Sequence, residues 1–155
     1  MLNIFLRGEI HIGIRSAKPE DWKEISELLD QLGYPETEFF IKDKIEQLLK
    51  HPDEKLLVFE KDDRVVAMMS IHFIPQIGLQ GDFARISYFV VDRQYRNQGI
   101  GKELEKHCFD LASERKCDRI EVHCHARRRV AQRFYFRLGF EESPKYLMKM
   151  IESGR

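Results

Sequence analysis

One stretch decides the fold: Phe89-Val90-Val91-Asp92-Arg93-Gln94-Tyr95-Arg96-Asn97-Gln98-Gly99-Ile100-Gly101-Lys102. It begins as an apolar run typical of a strand, passes through a basic turn, and continues past two glycines into residues at helical spacing. The first N–H groups of a helix lack intrahelical partners, and glycines there carry no side chain to keep a ligand away. The stretch therefore predicts a turn that can hold a phosphate or pyrophosphate, with a plain strand–helix connection as the alternative.

Two common nucleotide fingerprints do not fit this turn. Leu104 stands where a Gly-x-Gly-x-x-Gly motif needs its third glycine, and the Gly-Lys-Ser/Thr ending of a P-loop is missing. The sequence therefore predicts neither a Rossmann dinucleotide site nor a Walker nucleotide site.

A second motif lies further along the chain, in the stretch Ala131-Gln132-Arg133-Phe134-Tyr135-Phe136-Arg137-Leu138-Gly139-Phe140. Together the two stretches give Arg-x-x-Gly-x-Gly after a Val-Val strand, followed by Ala-x-x-Phe-Tyr-x-x-Leu-Gly-Phe. This pair of motifs resembles the GNAT superfamily of acyl-CoA-dependent N-acyltransferases. The likeness is close over residues 87 to 140, and the predicted order of elements extends it over nearly the whole chain.

The resemblance implies how a donor is held. The strand that ends at Val91 and the one that ends near Cys124 are expected to splay apart, with the pantetheine arm of acetyl-CoA in the gap. Splayed strands expose amides that such an arm can use like an added strand. The residues assigned to acetyl-CoA in this way are Phe89, Val90, Val91, Arg96, Asn97, Gln98, Gly99, Ile100, Gly101 and Lys102.

Hydrophobic periodicity predicts the order β-α-α-β-β-β-α-β-α-β in a single domain over residues 1–155, a mixed α/β layer. The predicted elements are a strand at 9–15, helices at 19–33 and 37–51, strands at 56–59, 65–74 and 83–91, a helix from 100, a strand at 119–124, a helix at 130–138 and a last strand at 145–151. The resemblance implies a central mixed, mostly antiparallel sheet with splayed central strands, flanked by helices.

Amide formation from a thioester needs a neutral amine, stabilisation of a tetrahedral oxyanion, and a proton for the departing thiolate. The resemblance implies that Tyr135 lies near the thioester sulfur and donates this proton. The residues alone leave an alternative, because Tyr135 is also at helical spacing from Ala131 and Leu138, as a core aromatic would be.

The sequence leaves several candidates for the general base. Many members of the superfamily carry a glutamate on the strand before the phosphate turn, but Arg85-Ile86-Ser87-Tyr88 contains no carboxylate. An alkylamine with a pKa of ~10.4 is neutral only about once in 10³ at pH 7, so a base matters. His72 is one candidate, because histidine titrates near neutrality and Ser70 and His72 are polar on one face of an apolar strand. His125 is a second, with Asp82 or a water relay as the remaining alternatives.

A basic cluster, Arg127-Arg128-Arg129, precedes the helix of the second motif. Relatives often carry an asparagine at the position of Arg128. The cluster is either a solvated face or a group that meets the phosphates of the cofactor or an anionic acceptor. Arg129 is the member assigned to acetyl-CoA.

The histidines and cysteines between 107 and 125 contain no Cys-x-x-Cys or His-x₃₋₅-His pair, and His123 and Cys124 should face opposite sides of their strand. No metal is therefore expected. Cys124, flanked by histidines, is an alternative covalent nucleophile. Direct transfer is simpler and leaves this cysteine a packing role.

Composition excludes several classes of protein. A chain of 155 residues, 43% hydrophobic and 34% charged, is neither disordered nor fibrous. Lys plus Arg and Asp plus Glu both total 26, so no overall field attracts nucleic acid or a membrane. Three cysteines argue against a disulfide framework and for the cytoplasm. No stretch approaches the ~20 apolar residues of a membrane span, and the apolar N-terminus is too short for a signal peptide.

The resulting hypothesis is an N-acetyltransferase that moves an acetyl group from acetyl-CoA to a primary amine, of a small molecule, by direct attack in a ternary complex. The strand with His72 and the Arg-Phe-Tyr stretch are also similar to aminoalkylphosphonate acetyltransferases, whose anionic acceptor would suit the arginines. Two alternatives are a non-catalytic CoA-binding sensor, which the missing glutamate suggests, and a protein acetyltransferase acting on lysine or an N-terminus. A homodimer paired through the last strand is the expected oligomer.

Overall fold

The computed structural model describes residues 12–143 and 146–151. Internal contacts divide the chain into two compact units, Met1–His123 and Cys124–Arg155. The first unit contains β1 (Gly13–Ser16), α1 (Trp22–Leu32), α2 (Ile41–Lys50), β2 (Glu54–Lys61), β3 (Arg64–Ile74), β4 (Phe83–Val91), α3 (Ile100–Glu114) and β5 (Arg119–Val122). The second unit contains α4 (Arg129–Arg137). The interpretation of residues 1–155 as one domain stays a prediction.

The five strands form one sheet in the order β1-β2-β3-β4-β5. Pairing is antiparallel from β1 to β4 and parallel between β4 and β5, which confirms the mixed, mostly antiparallel sheet. A two-residue turn joins β2 to β3. Its residues Asp62 and Asp63 have φ of 53° and 57°, and positive φ at both central positions is what a type I′ hairpin turn requires.

Both faces of the sheet are covered. On one face, α1 and α2 bury residues such as Ile25 and Ile45 in a cluster with Val58 and Met68 of the central strands. The alternate β3 residues Met69, Ile71 and Phe73 point to the other face and are buried as well. Helix α3 packs on β3, β4 and β5, and its buried residues recur every four positions: Ile100, Leu104, Cys108 and Ala112.

Two turns tie the start of β4 to the start of β5. The Gly81 N–H donates to Asp118 Oδ2 at 2.7 Å, and the Asp118 N–H donates to the Asp82 carbonyl at 3.0 Å. A Cβ built on Gly81 would lie 2.4 Å from the Lys116 carbonyl oxygen. Only glycine allows this close approach, which helps to fix the register between β4 and β5.

We expect Gly81→Ala to lower the free energy of unfolding by about 1–3 kcal/mol, because the added methyl group must push a backbone carbonyl away. Gly78→Ala is the matched control, since a Cβ there would meet nothing within 4 Å. Urea unfolding of both variants measures the difference. Equal midpoints would contradict the close approach at Gly81.

The second unit centres on α4 and an aromatic group. Tyr135 is buried, and its ring lies 5.4 Å from the rings of both Phe134 and Phe140, measured between centroids. The Phe140 N–H donates to the Tyr135 carbonyl at 3.1 Å, after Gly139 turns the chain with a φ of 91°.

The predicted last strand at 145–151 is wrong. Residues 146–151 have no regular secondary structure and are exposed, and Lys145 lies outside the described residues. The run is apolar enough to predict a strand, but a strand needs a neighbour, and the described residues of the second unit include no other strand. The homodimer expected through it therefore has no described strand to pair through.

Several boundaries also differ from the predicted ones. Helix α2 begins at Ile41 instead of near 37, because the chain first makes a turn in which the Phe40 N–H donates to the Thr37 carbonyl. Strand β5 ends at Val122, before Cys124. Strand β1 begins at Gly13, and residues 9–11 of the predicted strand lie outside the described residues. Within the described ranges, no helix is long and apolar enough to cross a membrane.

Candidate active site

Beyond Ile86, no strand among the described residues pairs with β4 on the side of β5, and we call this part of β4 the open edge. Parallel pairing with β5 runs from Phe83 opposite Arg119 to Ile86 opposite Val122 and stops there. Strand β4 continues to Val91 while it stays paired with β3 on its other side. Strand β5 itself ends at Val122, so the pairing stops where β5 stops. The splaying of the two strands towards Val91 and Cys124 stays a prediction.

A β-bulge lies at the point where the pairing with β5 ends. Ile71 of β3 is opposite Ile86, and Ser70 is opposite Tyr88, so Ser87 is an extra residue in β4. A bulge leaves one residue out of the ladder and increases the local twist, which re-aims the backbone and the neighbouring side chains. The bulge marks the inner end of the open edge.

The turn between β4 and α3 has the predicted form. Asn97 and Gly99 adopt positive φ of 61° and 82°, and residues 96–99 are exposed. Ile100 is buried and anchors the first turn of α3 against the core. The Arg96 Nε donates to the Val91 carbonyl at 3.1 Å, so this guanidinium lies beside the end of β4. The N–H groups of the first turn of α3, which include those of Gly101 and Lys102, therefore lie beside an exposed turn that carries positive charge.

The tip of the β2–β3 hairpin contacts this turn, which sequence reasoning missed. The Lys61 Nζ donates to the Gln98 side-chain oxygen at 2.8 Å, and the Tyr95 hydroxyl donates to Asp62 Oδ2 at 3.3 Å. Lys61 therefore adds a further cation beside the turn. No sequence signal could have found it, because the contact joins residues far apart in the chain.

Two tyrosines lie beside the bulge, and sequence analysis assigned a role to neither. Helix α1 ends at Gly33, whose φ is 106°, and the Tyr34 N–H then donates to the Leu29 carbonyl at 2.8 Å. This cap brings the Tyr34 ring to 5.1 Å from the Tyr88 ring in an edge-on arrangement. Burial raises the pKa of Tyr88, and Tyr34 adds to the shift. Tyr88 is therefore a neutral phenol at physiological pH.

Four ionisable residues lie opposite one another across four strands, and we call them the charged row: Glu54, His72, Arg85 and Glu121. His72 Nδ1 contacts Glu54 Oε1, and Arg85 Nη2 donates to Glu121 Oε2 at 2.8 Å. The row is one register step from the last β4–β5 pair. Of the four, sequence analysis proposed only His72 as a functional residue.

The second unit holds the other predicted catalytic residues. Burial raises the pKa of Tyr135 to about 12, with Cys124 adding to the shift and Arg128 opposing it. The His125 Nδ1 accepts the Arg127 N–H at 3.2 Å, so this ring is part of a turn. Arg129 is the exposed first residue of α4.

Two alternatives from the sequence can also be located. Burial raises the pKa of Cys124, which disfavours the thiolate that a covalent nucleophile requires. Asp82 precedes β4, at the opposite end of that strand from the open edge, and its carboxylate lies 4.0 Å from Arg115. In the part of the chain that the structure describes, no group of three or more His, Cys, Asp or Glu side chains could hold a metal ion.

The predicted site residues are divided between the two units. His72 and the stretch 89–102 belong to the first unit, whereas Tyr135, His125 and Arg129 belong to the second. Within the first unit, the open edge of β4 leads directly into the glycine turn and α3. The roles of all these residues stay predictions.

Comparison with known proteins assigns the fold. Residues 20–140, more than half of the chain, match the model of the acetyltransferase (GNAT) family. A solved structure from Bacillus halodurans C-125, described as a transcriptional regulator, is similar with a TM-score of 0.82 and 25% identity, covering 91% of this chain and 100% of that one.

Two solved acetyltransferases share the fold at lower identity. Glucosamine-6-phosphate N-acetyltransferase from Arabidopsis thaliana has a TM-score of 0.77 and 21% identity, covering 92% of this chain and 99% of that chain. An aminoglycoside N-acetyltransferase in complex with CoA has a TM-score of 0.78 and 15% identity, with 92% and 96% covered. Both similarities confirm the predicted fold class.

Proposed function

Because this chain belongs to the GNAT family of acetyltransferases, we propose that it transfers the acetyl group of acetyl-CoA to the primary amine of a small molecule, by direct attack in a ternary complex. The observation that carries the proposal is the open edge of β4, which begins at the bulge and ends at the glycine turn before α3. An amide-bearing arm that follows this edge would end with its phosphates at a helix N-terminus.

The donor is assigned to this edge and turn. The backbone of Phe89, Val90 and Val91 would bind the pantetheine arm, and the amides from Gln98 to Lys102 would bind the pyrophosphate. The positive charge for the phosphates would come from Arg96 and Lys102, and also from Lys61 of the β2–β3 hairpin. The CoA bound to the similar aminoglycoside N-acetyltransferase supports acetyl-CoA as the donor. Arg129 is also proposed to contact the phosphates of acetyl-CoA, and this role rests on the resemblance alone.

His72 is the proposed base. It is one register step from the end of the β4–β5 pairing, and its ring is held by a carboxylate, whereas the ring of His125 accepts a backbone N–H in a turn. The amine arrives as an ammonium ion, and His72 takes its proton before nitrogen attacks the thioester carbon. Backbone N–H groups at the Ser87 bulge would face the oxyanion. The C–S bond then breaks, and Tyr135 protonates the departing thiolate. The acylated nitrogen loses its second proton, which restores the Tyr135 hydroxyl.

The acceptor is proposed to be a small amine near the charged row, with Tyr34 and Tyr88 as an aromatic wall beside it. The similar acetyltransferases include enzymes for glucosamine 6-phosphate and aminoglycosides, which supports the small-molecule class. All three cysteines of the chain are free, which supports the cytoplasm as the compartment.

Titration with acetyl-CoA and a panel of amines tests the proposal. The panel is glucosamine 6-phosphate, kanamycin, 2-aminoethylphosphonate and spermidine, with thiol release as the readout and calorimetry for binding. We expect heat on adding acetyl-CoA and thiol release with at least one amine. Absence of heat at millimolar coenzyme would overturn the donor site, and binding with no turnover on any amine would favour the CoA sensor. Acetylated lysine or an acetylated N-terminus on added protein would favour the protein acetyltransferase.

Lys102→Ala should raise the KM for acetyl-CoA about tenfold, since one lost contact between a cation and a phosphate is worth about 1.5 kcal/mol or more. Lys106→Ala is the matched control, because Lys106 lies one turn further along α3 in an exposed ion pair with Asp110. The difference between the two variants should shrink at high salt, which screens the exposed charge. Equal KM values in both variants would contradict the assigned phosphate site.

A further inference from the structure

We propose that Glu54 is the positioning residue for His72, so that the two side chains work as a carboxylate–imidazole dyad when the acceptor amine loses its proton. The inference rests on the proposed function, in which His72 is the base. It names a residue that the sequence analysis did not single out, on a different strand from the histidine it would serve.

The geometry of the pair supports this role. Glu54 of β2 and His72 of β3 are directly opposite each other, and Glu54 Oε1 contacts His72 Nδ1. The Glu54 side chain is only 11% exposed, whereas that of His72 is 33% exposed. The carboxylate therefore holds the ring from its buried side. With the hydrogen on Nδ1 shared with Glu54, the lone pair of the neutral ring is on Nε2.

The second oxygen of Glu54 points to a function for the carboxylate. Oε2 is buried, and within the described residues it has no hydrogen-bond partner. A buried carboxylate that leaves one oxygen unsatisfied is a poor way to stabilise a sheet, because desolvation costs more than a single contact returns. Its contact with His72 is the one hydrogen bond recorded for this carboxylate in the described part of the chain.

Two charged groups of the α2–β2 connection near His72 are already engaged. The His51 ring is 5.6 Å from the His72 ring, and its Nδ1 accepts the Asp53 N–H at 3.1 Å. The Asp53 carboxylate accepts from Arg115 Nη2 at 2.7 Å. Neither group from the α2–β2 connection therefore competes for His72 Nδ1.

The other neighbour in the charged row is also paired. Arg85 is opposite His72 on β4, and its Nη2 donates to Glu121, while its buried Nε has no hydrogen-bond partner within the described residues. The row thus consists of two pairs, one of which joins a carboxylate to an imidazole. Among the described ion pairs, Glu54 is the carboxylate on His72.

The dyad gives a balanced proton transfer. His72 Nε2 takes one proton from the ammonium ion, and the freed nitrogen lone pair forms the bond to the thioester carbon. The ring becomes an imidazolium, and its charge is balanced by the Glu54 carboxylate, which itself gains no proton. His72 later releases the proton to solvent. Glu54 therefore acts by fixing the tautomer and the ring orientation, as the acid of a catalytic triad does.

Glu54→Gln tests the dyad with two readouts. Nitrogen-15 NMR of the ligand-free protein reports the His72 tautomer, which we expect to be Nδ1–H in the parent and mixed in the variant, because an amide can donate or accept. With the best amine of the panel, kcat should fall about tenfold to a hundredfold, part of the 10²–10⁴ that a general base contributes. The KM for acetyl-CoA should stay within about twofold of the parent value.

Two further variants separate this role from a structural one. Glu54→Asp keeps the charge and should recover part of kcat together with the Nδ1–H tautomer. Glu60→Gln is the matched control, because Glu60 is also on β2 and is paired with Arg15 at 2.7 Å, away from His72. It should leave the tautomer and kcat unchanged.

The outcomes distinguish the dyad from the proposed function. An unchanged tautomer or an unchanged kcat in Glu54→Gln, while His72→Gln is impaired, would overturn the dyad and leave His72 as the base. Unchanged turnover in His72→Gln would overturn the base itself, and the dyad with it. Loss of folding in Glu54→Gln would move the test to Glu54→Asp, where a parent-like kcat with a mixed tautomer would overturn the dyad.

Discussion

Replacing Tyr135 with phenylalanine is expected to lower kcat by about 10²- to 10⁴-fold, the usual contribution of a general acid, with little change in the KM for acetyl-CoA. Burial raises the pKa of Tyr135 to about 12, so its hydroxyl stays protonated through the physiological range and can supply a proton to the thiolate. Phenylalanine keeps the ring between Phe134 and Phe140 and removes only the hydroxyl. Steady-state thiol release measures the effect.

Tyr146→Phe is the matched control, because it removes a hydroxyl from an exposed tyrosine of the same unit. In the parent enzyme, ionisation of Tyr135 should cost no activity below about pH 10, two units under its raised pKa. Parent-like turnover in a folded Tyr135→Phe variant would leave this residue a core aromatic, as its helical spacing alone allows.

His72→Gln is expected to lower kcat at neutral pH by about 10²- to 10⁴-fold, because without a base only about one amine in 10³ is neutral at pH 7. The defect should shrink as pH rises toward ~10.4, where an alkylamine loses its own proton. A pH–rate profile of the parent and the variant measures both effects. The rise with pH would identify the missing step as deprotonation of the amine.

His51→Gln is the control for this substitution, since His51 is a neighbouring histidine whose Nδ1 accepts a backbone N–H. It should retain most of the activity. Equal losses in the two variants at every pH would indicate a general effect on this part of the sheet and would remove His72 as the base.

Local features of the fold could be predicted because they depend on neighbours in the chain. Gly33 ends α1 with a positive φ, and Asp62 and Asp63 close a hairpin, as the residue types indicate. The glycine turn between β4 and α3 also follows from its own residues. The apolar run at 146–151 shows the limit of such reasoning, because strand formation depends on a partner that the run does not contain.

Register across the sheet could not be predicted from the turn alone. The hairpin pairs Lys61 with Arg64, and an uninterrupted ladder from there would place Ile71 opposite Glu54. An irregularity after Phe59 shifts the pairing by one residue and places His72 opposite Glu54. One extra residue thus moves a carboxylate from an apolar neighbour to the candidate base, since a one-residue slip reverses which side chains share a face.

By itself, the sequence determined the order of most elements and the glycine turn, because these depend on periodicity and on backbone freedom at single residues. Its two motifs carried the resemblance to the family that the comparison then showed. Only the tertiary structure decided where β5 stops pairing with β4, that Lys61 contacts the turn, and that Glu54 holds His72. Those contacts join residues far apart in the chain. Their positions follow from bulges and close approaches such as that at Gly81, and no local pattern encodes them.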